Sequence, residues 1–477
     1  MSLLRQVARN TAVQFAGKFI GTALGFGAIV LLNRYLGDEK SGNYVTAMTY
    51  LQLFGIVMDL GLYVVLLKHI GTKENADHRL FHNIFTFRLV TALLFLLLAC
   101  VSVWWVPVFP EIVKLSVMVV AINYLFITLN QLFLAVYQHG QNLKRVALAE
   151  IAGKFVMFIV TLGVIYLWQG GLLSVMGAVV AGGFAQTLIL WVGLRRYTTL
   201  RLAFDMAVWR RVFMESWPVA LAIALNLIYF KSDSLLLALF HSQKIVGIYG
   251  APYKMLEVLI TLPAMVVGLL MPVLSKAYAE GHVEKFRQLY ARSINFLLIM
   301  ALPMVVGTIL LSQPIMLLVA GAEFTDEPAV LGQILSILVF AVGMIFMGTL
   351  TGYVVVIINQ QRAILWGYGF VAVTALAGYL WLIPRYSYYG AAAVTVYSET
   401  MMVVIASWLI YRTTKARPQM SGPVKIAAAA GFMGLVVWWL AALPLVVVIP
   451  IGAIVYVAAL LTVRGVTVTE IKEVVRL

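Results

Sequence analysis

The chain has 477 residues, of which 63% are hydrophobic and only 11% are charged, and its mean hydropathy is +0.98. This composition excludes an ordinary soluble globular protein and indicates a polytopic membrane protein. A formal net charge of +15 would favour nucleic acid as the partner of a soluble protein, but in a membrane protein it first reflects basic loops facing anionic lipid, so no nucleic-acid partner is predicted.

Fourteen segments are long and apolar enough to cross a bilayer, because about 20 helical residues span its hydrocarbon core. The first of them contains Lys18 and continues to about residue 36 without a small-residue cleavage site, so we interpret it as a span and not as a removed signal peptide. The predicted spans are 11–36, 42–67, 83–106, 115–138, 146–168, 172–194, 213–240, 245–275, 290–312, 330–358, 363–383, 389–411, 424–443 and 445–463.

Basic residues are distributed unevenly between the two sides that these spans define. The side that carries both termini has 24 Lys or Arg residues, the opposite side has five, and five more lie within spans. Because loops rich in Lys and Arg stay in the cytoplasm, both termini are predicted to be cytoplasmic.

The two halves of the chain share a weak internal repeat. Residues 36–44 are echoed by residues 240–249, and both segments lie on the predicted outer side, between the first and second helix of a half. Residues 141–145 and 359–362 correspond in the same way, between the fourth and fifth helices. We therefore predict an all-α fold of two six-helix lobes related as parallel repeats (1–197 and 198–412), followed by two additional helices and a tail (413–477).

Charged residues interrupt two consecutive spans at the start of the second half. Lys231 and Asp233 lie in the span 213–240, whereas Lys254 and Glu257 lie three residues apart in the span 245–275. Charged side chains inside a bilayer must face protein or water, so these residues predict a polar cavity. The second of these spans is predicted to be kinked, because it also contains Pro252, Pro263 and Pro272.

Several short motifs carry a resemblance to a known family. They are Asp38 to Tyr44, Met58-Asp59-Leu60-Gly61, Ser232-Asp233-Ser234 with Val246-Gly247-Ile248-Tyr249, Met271-Pro272-Val273-Leu274-Ser275 and Tyr389-Gly390-Ala391-Ala392-Ala393. Over nearly its whole length the chain resembles the polysaccharide transporter (Wzx-type oligosaccharide flippase) family. That family belongs to the multidrug/oligosaccharidyl-lipid/polysaccharide exporter superfamily, in which the related lipid II flippases carry cavity arginines. Lys18, Lys231 and Lys254 are their approximate counterparts here.

The resemblance implies a flippase in the cytoplasmic (inner) membrane and not an enzyme. Its substrate would be an undecaprenyl-diphosphate-linked oligosaccharide, such as an O-antigen, capsule or exopolysaccharide repeat unit, moved from the inner to the outer leaflet by alternating access. The implied partners are this polyprenyl-linked glycan, the lipid bilayer, and a polysaccharide polymerase with its chain-length machinery. Two alternatives stay open: a cation-coupled multidrug exporter of the same superfamily, and a membrane-embedded glycan polymerase or ligase.

Three lysines within spans are the candidate substrate-binding residues. Lys18, Lys231 and Lys254 could converge on one cavity and bind the diphosphate, because charge-assisted hydrogen bonds are strongest in a partly desolvated site. In the alternative interpretation, Lys18 extends to the cytoplasmic interface and the other two lysines neutralise nearby acids.

Four acidic residues lie deepest in the predicted spans, namely Asp59, Asp233, Glu257 and Glu399. They could couple transport to H⁺ or Na⁺, or form fixed ion pairs between helices. No cofactor, metal site or catalytic residue is predicted, because the chain has neither G-x-x-x-x-G-K-[ST] nor G-x-S-x-G, and His78 and His82 lack the glutamate of an H-E-x-x-H motif.

Overall fold

The computed structural model describes residues 3–59, 61–62, 66, 78–139, 142–195, 200–416 and 421–463, and within these ranges it contains helices and no strand. Twelve helical segments of this described part are long and apolar enough to cross a membrane, which confirms the predicted all-α polytopic class. The helices are α1 (Leu3–Asp59), α2 (His78–Ser102), α3 (Glu111–His139), α4 (Leu143–Gly163), α5 (Leu172–Leu194), α6 (Met206–Phe240), α7 (Gln243–Leu259), α8 (Thr261–Ala279), α9 (Val283–Leu310), α10 (Ser312–Ala320), α11 (Pro328–Ile357), α12 (Gln361–Thr414), α13 (Ser421–Trp439) and α14 (Leu445–Thr462).

Two of the twelve segments are each bent at a single non-helical residue. Gly37 in α1 has φ 70° and ψ −176°, and Ser387 in α12 has φ 51° and ψ −131°. Counting the two halves of each bent helix separately gives 14 membrane-length rods, the number that the hydropathy of the sequence predicts. The predicted breaks between spans 11–36 and 42–67 and between spans 363–383 and 389–411 are confirmed, since two helices meet at a kink at Gly37 and at Ser387, although each break is a single residue and not a loop of five.

The predicted span 245–275 consists of two helices, α7 and α8, which meet at Ile260. Pro263 is the third residue of α8, where a missing backbone N–H leaves no helical hydrogen bond unmade, so the new helix can start there. Pro252 and Pro272 lie inside α7 and α8 without interrupting them. The predicted kink is present, and it lies beside the middle proline.

Two helix boundaries differ from the hydropathy prediction. The helix α6 begins at Met206, earlier than the predicted residue 213, because the Asp205 side chain accepts hydrogen bonds from the backbone N–H groups of Ala207 (3.1 Å) and Val208 (3.3 Å). The short helix α10 was not predicted at all, since its nine residues are too few for a membrane-length window.

The chain forms two compact units, Met1–Gly250 and Ala251–Leu477. The first unit has an apolar core contributed mainly by α2 to α5, and its members include Ile84, Phe85, Leu132, Phe133, Tyr137 and Leu190. In the second unit α13 and α14 pack on α9, where the Tyr456 hydroxyl donates a 2.9 Å hydrogen bond to the carbonyl of Ile299. The predicted division at residues 197 and 412 is a division by repeat and stays a prediction.

Candidate functional site

Lys18 lies beside the surface through which α1 packs on α4. A Cβ atom on Gly17 would come within 2.6 Å of the Ala147 side chain, Gly21 faces Glu150, and Gly25 faces Lys154. The spacing of these glycines is typical of close helix packing, and here it brings α1 and α4 together. Lys18 itself is exposed, so it does not take part in this helix contact.

Lys231 and Asp233 lie in a buried polar cluster near the end of α6. Lys231 is 4% exposed, and Asp233 is fully buried. The Tyr249 hydroxyl donates a 2.6 Å hydrogen bond to Oδ2 of Asp233, and the backbone N–H of Ser234 donates a 2.6 Å bond to Oδ1. Both carboxylate oxygens of Asp233 are thus hydrogen-bonded, as the burial of a charged group requires.

Lys254 and Glu257 form an ion pair on α7, in the second unit. The Lys254 Nζ lies 2.7 Å from Oε2 of Glu257, and both side chains are partly exposed. Residues three apart on a helix lie on the same face, which explains the contact. An anion that binds Lys254 would therefore share its ammonium group with the Glu257 carboxylate.

The other two acidic candidates lie in different surroundings. Asp59 is the last residue of α1, and its side chain lies outside the described part of the chain. Glu399 in α12 is 7% exposed and follows a short buried polar series, in which the Thr395 hydroxyl lies 3.2 Å from that of Tyr379 and the Ser398 hydroxyl donates to the Thr395 carbonyl. This buried polar environment fits either an ion-coupling role or a structural role for Glu399.

Arg88 is a buried cation that sequence reasoning did not select as a site residue. It lies in α2, is fully buried, and donates from Nη2 to Oε1 of Gln131 in α3. One turn further along α2, the Thr91 hydroxyl donates to the Met58 carbonyl near the end of α1 (3.4 Å). The signal was present in the sequence, because Arg88 is an arginine within an apolar span.

The candidate residues thus belong to several distinct local arrangements. Lys231 and Asp233 lie in one buried cluster, whereas Lys254 and Glu257 form a separate ion pair. Convergence of the three lysines on one cavity stays a prediction. Among the residues whose side chains are described, no group of three or more His, Cys, Asp or Glu is placed to hold a metal ion.

Comparisons with known proteins identify a sequence family and a shared fold. A family model described as "Polysaccharide biosynthesis protein" matches residues 7–278. A search of curated protein sequences finds no significant match.

Solved structures of three transport proteins share the fold. The lipid II flippase MurJ in an inward closed conformation superimposes with a TM-score of 0.76 at 14% identity and covers 94% of this chain and 98% of its own. An inward-facing multidrug resistance MATE family transporter of the MOP superfamily has a TM-score of 0.71 at 15% identity, over 85% of this chain and 98% of its own. A MOP superfamily transporter from Pyrococcus furiosus has a TM-score of 0.61 at 14% identity, and the match covers 86% of this chain and 96% of the transporter.

Proposed function

The chain belongs to the polysaccharide biosynthesis protein family, and from this premise we propose that it flips a polyprenyl-diphosphate-linked oligosaccharide across the cytoplasmic membrane. It is a multi-pass membrane protein with the fold of flippases and transporters. In our proposal it works by alternating access and catalyses no covalent reaction. The glycan that it releases in the outer leaflet would be used by a polysaccharide polymerase and its chain-length machinery.

The observation that carries this proposal is the enclosure of cations in membrane-spanning helices of the first unit. Arg88 and Lys231 are both buried within apolar spans, where an uncompensated charge is costly and is retained mainly for function. A diphosphate group needs such cations, because charge-assisted hydrogen bonds to phosphate are strongest away from bulk water. We assign phosphate binding to Lys18, Lys231 and Lys254 and now add Arg88 as a cation that supports the negative substrate electrostatically.

The acidic residues have a second role in the proposal. Asp233 holds the Tyr249 side chain in position, and Glu257 holds the Lys254 side chain in position. Asp59 and Glu399 are the candidates for coupling to H⁺ or Na⁺, in which a carboxylate would bind the ion on one side of the membrane and release it on the other.

Both a lipid II flippase and a multidrug transporter share the fold, and we favour a flippase because buried cations suit an anionic substrate. The MurJ structure covers 94% of this chain and the MATE structure 85%, and α13 and α14 are the two helices that lie beyond the predicted six-helix lobes. A flippase of lipid-linked substrates must also accommodate a polyprenyl tail, and additional helices beside the transport bundle offer apolar surface for it.

Purified protein in liposomes provides the direct test. A fluorescent polyprenyl-diphosphate oligosaccharide is placed in both leaflets, and flipping is measured as the fraction that a membrane-impermeant reductant quenches over time. We expect flipping with this substrate and none with a fluorescent phosphatidylcholine. The measurement is repeated with a pH gradient and with a Na⁺ gradient, since a change in rate under either identifies the coupling ion.

Lysine variants separate the flippase from the exporter. Lys231→Ala should slow flipping by about tenfold or more, because one charge-assisted hydrogen bond contributes about 1.5–3 kcal/mol. The control is Lys285→Ala, an exposed lysine of the first turns of α9. Unchanged flipping in Ala variants of Lys18, Lys231 and Lys254 would overturn the phosphate assignment, and export of a cationic dye without glycolipid flipping would favour the multidrug exporter.

A further inference from the structure

Two tyrosines and a glutamine come together at the end of the second unit that is predicted to face outwards. The Tyr389 hydroxyl donates a hydrogen bond to Oε1 of Gln333, which joins α12 to the second turn of α11 at an exposed position. The ring of Tyr388 lies beside that of Tyr389, with a centroid distance of 4.7 Å and an interplanar angle of 66°. We call Glu327, Gln333, Tyr388 and Tyr389 the aromatic patch.

The surroundings of the aromatic patch are acidic. Residues 312–330 and 384–390 contain three carboxylates, all exposed, and one basic residue, Arg385. The Glu327 carboxylate acts electrostatically on the Tyr388 hydroxyl. Arg385 is turned towards Trp381 of its own helix, where it donates a 3.1 Å hydrogen bond to the Trp381 carbonyl. The excess of negative charge disfavours an anionic lipid headgroup or a free phosphate as the ligand of this surface.

The position of Trp381 and Arg385 gives the level of the patch in the membrane. The Arg385 guanidinium lies 5.1 Å from the centroid of the Trp381 ring, an arrangement that is typical of the membrane interface. The bend at Ser387 lies six residues beyond Trp381, which is about 9 Å further along the helix. The patch therefore lies at the level of the lipid headgroups, where the sugars of a lipid-linked glycan begin.

The bend that carries the two tyrosines is strained. Ser387 has φ 51° and ψ −131°, and its buried hydroxyl has no hydrogen-bond partner among the residues that the structure describes. These angles are unfavourable for a residue with a side chain, and strain of this kind is found chiefly at functional sites. The strain therefore draws attention to the surface that the bend forms.

A sugar ring matches the groups of the aromatic patch. One face of a pyranose consists of C–H bonds and packs against an aromatic ring, whereas the hydroxyls at its edge bond to carboxylate and amide groups. Tyr388 and Tyr389 supply the rings, Gln333 supplies an amide and Glu327 a carboxylate. An aromatic anchor that only contacted lipid would not be combined with a carboxylate, because apolar lipid excludes charge.

We propose that the aromatic patch binds sugar rings of the glycan at the outer surface, after the diphosphate has crossed the membrane. This inference rests on the proposed function and adds a second binding site to the lysines assigned to the diphosphate. A glycan held by the patch stays on the outer side, where a polymerising enzyme can use it.

Saturation-transfer NMR with the protein in phospholipid nanodiscs tests the proposal, since detergents with sugar headgroups would compete for the patch. The probe is the soluble oligosaccharide that mild acid releases from the polyprenyl-linked glycans of the cells that produce the protein. We expect transfer to its sugar protons and none to glycerol. Tyr388→Ala combined with Tyr389→Ala should lower the transfer by about fivefold or more. Tyr353→Ala, at an exposed tyrosine near the opposite end of α11, is the control and should change nothing.

A milder pair of substitutions guards against a folding defect. Glu327→Gln combined with Tyr389→Phe keeps the size of both side chains and removes a carboxylate and a hydroxyl, so it should lower the transfer by about threefold. Absence of transfer to the oligosaccharide with the unaltered protein, or undiminished transfer in either double variant, would overturn the proposal.

The liposome assay separates this site from the transport function. Oligosaccharide binding that is lost in the double variants, in a protein that flips no glycolipid, would support the aromatic patch and refute the proposed substrate of transport. Flipping of the glycolipid by a protein that binds no soluble oligosaccharide would refute the patch and keep the flippase.

Discussion

Asp205 connects the start of α6 to α2, and its charge makes this connection dependent on pH. Hydrogen bonding from the backbone N–H of Val208, followed by that from Arg79 (2.5 Å), holds the pKa of the Asp205 carboxyl below its usual value. A carboxyl whose pKa is lower in the folded state stabilises the fold above its unfolded-state pKa, about 3.9, and loses this contribution as the pH falls through the folded value. We therefore expect Asp205→Asn to lower the melting temperature in detergent at pH 7 and to have a progressively smaller effect as the pH falls through the folded-state pKa of Asp205.

The substitution Asp205→Asn removes the charge of Asp205 and keeps its capping role. Asparagine can still accept the hydrogen bonds of Ala207 and Val208, so the helix cap is kept. Glu323→Gln, at an exposed position between α10 and α11, is the control and should shift the melting temperature little at any pH. A destabilisation by Asp205→Asn that is the same from pH 3 to pH 7 would contradict the electrostatic account.

Single residues also show where prediction of the candidate site succeeds and where it stops. The contact between Lys254 and Glu257 follows from helical spacing, which is a local property of the sequence. The bond from Tyr249 to Asp233 joins different helices, so it depends on how those helices pack and no spacing rule contains it. Arg88 was visible as an intramembrane cation, yet its burial against Gln131 is equally a product of packing.

At the scale of elements, hydropathy predicted the membrane-length segments well and their ends less well. The span 172–194 coincides with α5, and the total of 14 rods is recovered. Hydropathy measures apolar length and contains no information on dihedral angles, so it predicted that α1 and α12 are each divided in two but not that a single residue makes each bend. Bends at Gly37 and Ser387 depend on the backbone conformation of one residue each.

The backbone conformations at the two bends predict that replacing the glycine of one lowers stability and that introducing a glycine at the other raises it. Gly37 has dihedral angles that only glycine adopts easily, so Gly37→Ala should destabilise the protein by about 1–3 kcal/mol. Ser387 has φ 51°, and its buried hydroxyl has no hydrogen-bond partner among the residues that the structure describes, so Ser387→Gly should stabilise the protein by about 1 kcal/mol. Unfolding of both variants in detergent and denaturant measures these changes. Stabilisation by Gly37→Ala, or loss of stability in Ser387→Gly, would show that the bends are not strained in this way.

At the scale of the whole molecule, aromatic and basic side chains pair at the ends of several spanning helices. The Arg195 guanidinium lies 4.6 Å from the Trp191 ring centroid, and Arg412 lies 5.4 Å from that of Trp408. On the side predicted to be outer, Arg385 lies 5.1 Å from the Trp381 ring centroid. A cation over an aromatic ring, with both at the end of an apolar helix, is typical of the membrane interface. These pairs indicate where the hydrocarbon layer ends. They do not distinguish the cytoplasmic side from the outer side, which the count of basic residues predicts.

That count predicts the orientation of every loop, and two exposed positions test it. Between Lys285 near the start of α9 and Glu323 after α10, the chain crosses the membrane once, because α9 has 28 residues and α10 only nine. With 24 Lys or Arg residues on the side of Lys285 and five on the side of Glu323, Lys285 should face the cytoplasm.

Single Lys285→Cys and Glu323→Cys variants without Cys100 are labelled in intact cells with a membrane-impermeant maleimide. We expect labelling of Glu323→Cys alone, and of Lys285→Cys only after the cells are broken. Labelling of both positions from outside would mean that α9 does not span the membrane, and the reverse pattern would place the termini outside.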